Sequence, residues 1–120
     1  MNAKLKRLHS PDIDNLEYYQ PECASSFCFL FRAMIGPEGE EGEESYDIEV
    51  CTPAWIEENL GLDQALVGQH YLIVRDYNYQ KIILFIENFL QGCSGENWNE
   101  ISRKVSTLGL WEFEGYKDGV

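Results

Sequence analysis

FCFLFRAMIGPEGEEGEESYDIEVC, running from Phe27 to Cys51, decides the fold. Its first part sets Phe27, Phe29, Phe31 and Ala33 on one face of an extended chain, and Cys28, Leu30, Arg32 and Met34 on the other. Both faces are largely apolar, which predicts a central strand covered on both sides. Its last part alternates Tyr46, Ile48 and Val50 with Asp47, Glu49 and Cys51, the pattern of a half-buried strand whose outer face is acidic. A turn rich in glutamate and glycine joins the two, so the stretch predicts a hairpin. Residues 38–49 carry seven carboxylates and neither Lys nor Arg.

Outward from the hairpin, Ala3–Leu8 reads as a short edge strand. SPDIDNLEYYQPE follows as an ordered loop, pinned by Ile13, Leu16, Tyr18 and Tyr19. Downstream, Thr52-Pro53 supplies a helix N-cap and a first-turn proline. The helix they open covers Ala54 to Leu60, with Trp55, Ile56 and Leu60 inward and Gly61 as its stop. QHYLIVR, residues 69–75, reads as another strand. Asn78 caps a helix with Tyr79, Ile82, Ile83, Ile86, Phe89 and Leu90 on one face, ended by Gly92. A further helix from Asn97 places Trp98, Ile101, Val105 and Leu108 along one stripe and stops at Gly109. Trp111 and Phe113, alternating with Glu112 and Glu114, predict a final strand. The order of elements predicts a single α+β domain over residues 1–120, with a mostly antiparallel sheet and two or three helices packed on it.

Charge narrows the function. The 120-residue chain carries a net charge of −12, concentrated in one region. Residues 33–74 hold ten acidic groups and no Lys or Arg, whereas residues 1–32 balance at zero. Such a chain is unsuited to nucleic acid, which needs cations opposite its phosphates, and to anionic membrane surfaces. No stretch approaches the ~20 apolar residues of a membrane span. A basic protein is the partner that the charge favours. MNAKLKRLHS leads into no apolar signal region, so Cys23, Cys28, Cys51 and Cys93 read as free thiols of a cytoplasmic protein. No pair of them has CxxC spacing, which excludes the usual zinc sites.

Chemical readings of the carboxylates fare poorly. DIDNLE lacks the glycine and the distal glutamate of a calcium loop, and the 38–44 run has no rigid frame to converge ligands. Glycoside hydrolysis needs two carboxylates with separated pKa values in a cleft, not glutamates on an exposed turn. Cys51 and His70 come close if their strands pair, but both read more simply as core residues. The chain has no GxSxG, GxxxxGK[ST] or GxGxxG. Neither a catalytic residue, a cofactor nor a metal is therefore expected. Trp98 and Trp111 read as core, whereas Tyr77 and Tyr79 in RDYNYQ read equally as core or as interface anchors.

Several stretches resemble the immunity protein 8 family of bacterial polymorphic and contact-dependent toxin systems. They are SPDID, AMIGPEGEEGEESYDIEVCTPAW, HYLIVRDYNYQKI, GENWNEI and GLWEFEGY, and together they span nearly the whole chain. The resemblance implies a non-enzymatic cytoplasmic protein that binds a cognate toxin domain and blocks it. By charge, a basic nuclease-type toxin suits the acidic chain. The expected contact set is Glu38, Glu40, Glu41, Glu43, Glu44, Asp47 and Glu49, supplemented by Asp76, Tyr77 and Tyr79. The competing reading is an acidic adaptor or scaffold unrelated to toxins, whose carboxylates only keep it dissolved.

Overall fold

The alternation of Phe27–Cys51 produces an antiparallel hairpin. In the computed structural model, which describes residues 1–114, β1 spans Ala3–His9, β2 Cys28–Pro37 and β3 Glu44–Cys51. Then follow α1 (Pro53–Asn59), β4 (Tyr71–Ile73), α2 (Tyr79–Gln91), α3 (Trp98–Val105) and β5 (Leu110–Trp111). The end of the GLWEFEGY stretch lies outside the described residues. The hairpin register runs from Cys28 opposite Cys51 to Ile35 opposite Glu44. It brings Phe31, Ala33, Ile35, Tyr46, Ile48 and Val50 onto one face, where all six are fully buried. Burying each of the larger side chains contributes about 1.5–3 kcal/mol, so these two strands hold the centre of the core.

Backbone requirements shape the turn. Gly39 and Gly42 adopt φ values of 80° and 106°, which a residue with a Cβ rarely visits. At Gly36 the constraint is contact rather than φ. A methyl group there would lie 2.0 Å from the carbonyl oxygen of Gly42.

β1 lies antiparallel on the outer side of β2, from Ala3 opposite Pro37 to His9 opposite Arg32. The register shifts between Leu5 and Arg7, which makes Lys6 the extra residue of a bulge. The free edge of β3 is divided between two short strands. β4 pairs with Glu49–Cys51 in parallel, and β5 pairs with Tyr46 and Asp47 in antiparallel fashion. The result, among the described residues, is an α+β fold with a mixed, mostly antiparallel five-stranded sheet and three helices. Both late strands are shorter than their sequence patterns predict. His70 leaves the extended region at φ 65°, and the Glu114 N–H turns back to the Trp111 carbonyl at 2.9 Å, closing the chain after Trp111.

The helices start where capping residues predict. Thr52 Oγ1 accepts from the Trp55 N–H at 3.3 Å, Asn78 from Lys81 at 3.0 Å and Asn97 from Glu100 at 2.9 Å. α2 packs beside β1. Ile82, Ile86 and Leu90 of α2 join Ile101 and Val105 of α3 in the core with the hairpin.

Four expectations need correction. The second face of β2 is not covered by a helical layer among the described residues: Cys28, Leu30, Arg32 and Met34 each keep part of their surface exposed. With α2 and α3 on the other face, only α1 remains, and its two turns bury none of their own residues completely. Leu60 therefore lies outward, 37% exposed, as the C-cap of α1 and not as part of an inward stripe. Phe89 is 39% exposed at the margin of the α2 stripe, because Ile82, Ile86 and Leu90 at i, i+4 and i+8 already face the core. Tyr18 points into solvent, 77% exposed, so of the four predicted pins Ile13, Leu16 and half-buried Tyr19 hold the loop and Tyr18 does not.

Candidate partner-binding surface

The hairpin turn carries the acidic array, and the fold divides that array into two kinds of carboxylate. Glu38, Glu40 and Glu41 are exposed at the tip, where no cation among the described residues pairs with their carboxylates. The nearby Lys6 ammonium donates to the Glu40 carbonyl instead. Glu43 and Glu44 at the base of the turn are engaged. Arg7 Nε donates to the Glu43 carboxylate at 2.9 Å, and the hydrogen bond to Arg7 holds that carboxyl below its usual range. The Trp98 indole N–H donates to Glu44, tying α3 to the start of β3.

On the β3 face, Asp47 receives both arms of Arg32, with Nε at 2.8 Å and an Nη at 3.1 Å. The hydrogen bond to Asp47 raises the Arg32 pKa further. Glu49 lies 3.6 Å from the Cys28 sulfur, a weak S–H···O contact. Burial, then the neighbouring Cys51 and Glu49, push the Cys28 thiol up to about 12. Cys51 is also raised, chiefly by burial. His70 contributes its carbonyl to the Glu49 N–H at 2.9 Å, while its Nε2 is buried with no hydrogen-bond partner among the described residues. Cys51 thus neighbours a second raised thiol, which is not an arrangement for nucleophilic chemistry.

Asp76, Tyr77 and Tyr79 are not brought to the turn. β4 runs parallel to β3 from Glu49 to Cys51, so the residues after it emerge at the far end of β3. At about 3.3 Å per residue, the eight residues of β3 separate the two groups by roughly 25 Å. Asp76 is exposed beside a small depression of about 230 Å³ shared with Ile73 and Phe85. Tyr77 faces inward. Its hydroxyl donates to the Leu16 carbonyl at 2.6 Å and its N–H to the Ala24 carbonyl at 2.7 Å. Its ring meets Phe27 and Tyr19 edge-on at 5.3 and 5.7 Å, and burial pushes its phenol up to about 12. Tyr79 is half-buried at the first turn of α2.

The loop that Tyr77 secures borders a surface which the sequence reading did not single out. A groove of about 470 Å³ opens among Tyr19, Phe27, Phe29 and Trp55, with Glu22 and Glu58 on its walls. A second depression of about 460 Å³ shares Tyr19 and Phe29 and adds Asp12 and Asp14. The signal was the mixture of acids and tyrosines in SPDIDNLEYYQPE, but Glu58 and Trp55 come from α1, more than 30 positions away.

Among the described residues no group of three or more His, Cys, Asp or Glu side chains could hold a metal ion. No described helix is long and apolar enough to cross a membrane. The open sheet face, the glutamate-tipped hairpin and the acidic groove are the surfaces that the fold displays, and none of them carries a constellation for catalysis among the described residues. The chain belongs to the immunity protein 8 family, whose model matches residues 3–116. Its role is accordingly that of an immunity protein with a toxin protein as partner, and it is not an enzyme. No curated protein and no solved structure shows significant similarity to the chain.

Proposed function

We propose that residues 1–120 act as one immunity domain that neutralises a cognate toxin domain in the cytoplasm by stoichiometric occlusion, and that this toxin is basic and of nuclease type. The observation that carries the reading is the segregated charge: ten acidic groups and no Lys or Arg in residues 33–74, with Glu38, Glu40 and Glu41 projecting from the turn. Carboxylates so displayed stand in for the phosphates that a nuclease cleft accepts, and they speed encounter with a cationic surface. Asp47 and Glu49 extend the same sign along β3, although the Arg32 pairing reduces what Asp47 offers.

Co-expression with the toxin domain encoded in the adjoining gene tests the function. The expected result is survival of the host and recovery of a one-to-one complex by size exclusion with light scattering. Host death with no complex refutes it. Changing Glu38, Glu40, Glu41, Glu43 and Glu44 to Gln tests the contact set. Association should slow about ten-fold at low salt and lose most of its ionic-strength dependence. Unchanged association would remove the turn from the interface while leaving the function intact.

A further inference from the structure

The turn is not the only acidic surface, and it is the more compromised one. Arg7 and Arg32 hold two of its seven carboxylates. The groove between the 10–26 loop and α1 differs on each count that matters for binding. Its two depressions share Tyr19 and Phe29 and bring Asp12, Asp14, Glu22 and Glu58 around an aromatic floor. Among the described residues no Lys, Arg or His lines either depression, and no ion pair involves these four carboxylates.

The floor is also built in advance. Tyr19 meets Phe29 edge-on at 5.2 Å, Phe27 stacks on Phe29 at 5.3 Å, and Tyr77 braces both Phe27 and Tyr19 from behind. The loop backbone is fixed by Ile13 and Leu16 in the core and by the two Tyr77 hydrogen bonds. Glu58 is held by the Ser26 hydroxyl at 2.8 Å. A cation entering such a site loses little affinity to ordering of the receptor.

We propose that this groove is an anchor site for an arginine-bearing segment of the toxin. The proposal rests on the immunity reading and names a second contact for the same partner. A guanidinium is planar, stacks on Trp and Tyr faces and donates to a carboxylate along each edge, whereas an ammonium is more strongly hydrated and makes no fork. An aromatic floor with carboxylate walls therefore selects arginine over lysine. Its aromatic floor also distinguishes its role from that of the turn. Exposed charges at the tip act on encounter, and a filled aromatic groove acts on residence time.

The test measures association and dissociation of the toxin domain encoded in the adjoining gene by surface plasmon resonance. Four proteins are compared: the wild type, Glu22→Gln with Glu58→Gln, Trp55→Ala, and the five-Gln turn variant. Glu22 and Glu58 are both exposed, so the double Gln variant should melt with the wild type and serves where Trp55→Ala loosens α1. The expected result is dissociation at least ten-fold faster for the double Gln variant, with association changed less than three-fold, while the turn variant shows the converse. A dissociation rate within three-fold of wild type overturns the groove and leaves the immunity reading standing. Wild-type protein that neither binds nor protects overturns that reading, and the assigned occupant of the groove with it.

Discussion

Replacing Gly36 by alanine should damage this protein out of proportion to the single methyl group added. The added carbon would lie 2.0 Å from the Gly42 carbonyl oxygen and 3.2 Å from the Glu43 Cα. An ordinary contact needs about 3.4 Å or more, so the two backbones must separate by roughly 1.4 Å. Neither can yield by a side-chain rotation. Gly36 is held by β1 opposite Lys4, and Gly42 sits at φ 106° between β2 and β3. Separation opens the end of the hairpin, where the Glu38 N–H donates to the Asn2 carbonyl at 2.8 Å and Ile35 pairs with Glu44. Two backbone hydrogen bonds at about 1 kcal/mol each, with some residual strain, put the loss near 2–3 kcal/mol. For a chain of this size that lowers the melting temperature by roughly 8–12 °C. Gly39→Ala is the control. It lies in the same turn with no atom of the described residues within 4 Å of the added carbon and only its φ of 80° to oppose it, a cost of about 1 kcal/mol. Urea titration and thermal melting of both variants decide the matter. Equal losses would refute the close-approach argument.

Three further outcomes follow from particular side chains. The Tyr46 hydroxyl is buried beside the Ser102 hydroxyl, and among the described residues neither forms a hydrogen bond of good geometry, so Tyr46→Phe should leave stability unchanged or raise it by about 1 kcal/mol; a loss above 1 kcal/mol in urea titration would mean that the two hydroxyls do pair. Cys23 is exposed and its thiol is lowered by the Ser25 hydroxyl, whereas burial raises Cys28, Cys51 and Cys93. An aromatic disulfide reagent at pH 8 should therefore show a fast phase of about one thiol per chain, and a fast phase of two or more contradicts this. The third concerns acid. Arg7 lowers the Glu43 pKa from its ordinary 4.5, so the pairing stabilises the fold above that value and is lost as pH falls through the folded-state pKa. Arg7→Gln should lose stability at pH 7 and narrow its deficit against wild type below pH 4, as read from midpoints of urea unfolding. A deficit that stays constant with pH assigns Arg7 no such role.

The hairpin, the capping residues and the helix stripes were legible because each is local. Alternation from Phe27 to Val50 names the buried face, and Thr52, Asn78 and Asn97 each bond an N–H three residues on. What was not legible depended on partners far away in the chain. Glu43 meets Arg7 across 36 positions and Glu44 meets Trp98 across 54, so the charge of the turn could be counted but not its neutralisation. Met34 and Leu30 looked like core because alternation reports side-chain character and not whether anything lies opposite. Tyr77, one of two readings in the sequence, owes its inward position to Leu16, 61 residues earlier. The groove was the hardest to see. Its walls come from the loop after β1 and from α1 after β3, and only the register of the sheet brings them together.

Sharing the edge of β3 between two short strands has a further consequence. A long free edge presents a row of unpaired N–H and C=O groups onto which another chain can add as a strand. Here one flank is closed by β4 and β5, which run in opposite directions and leave only three- and two-residue segments outermost. The other flank ends in β1, broken by the bulge at Lys6 and studded with Lys4 and Arg7. Among the described residues neither side offers a long regular template for strand addition. Pairing of copies edge to edge is thereby disfavoured, and what the described residues leave open to a partner is a surface of side chains and not a row of backbone groups.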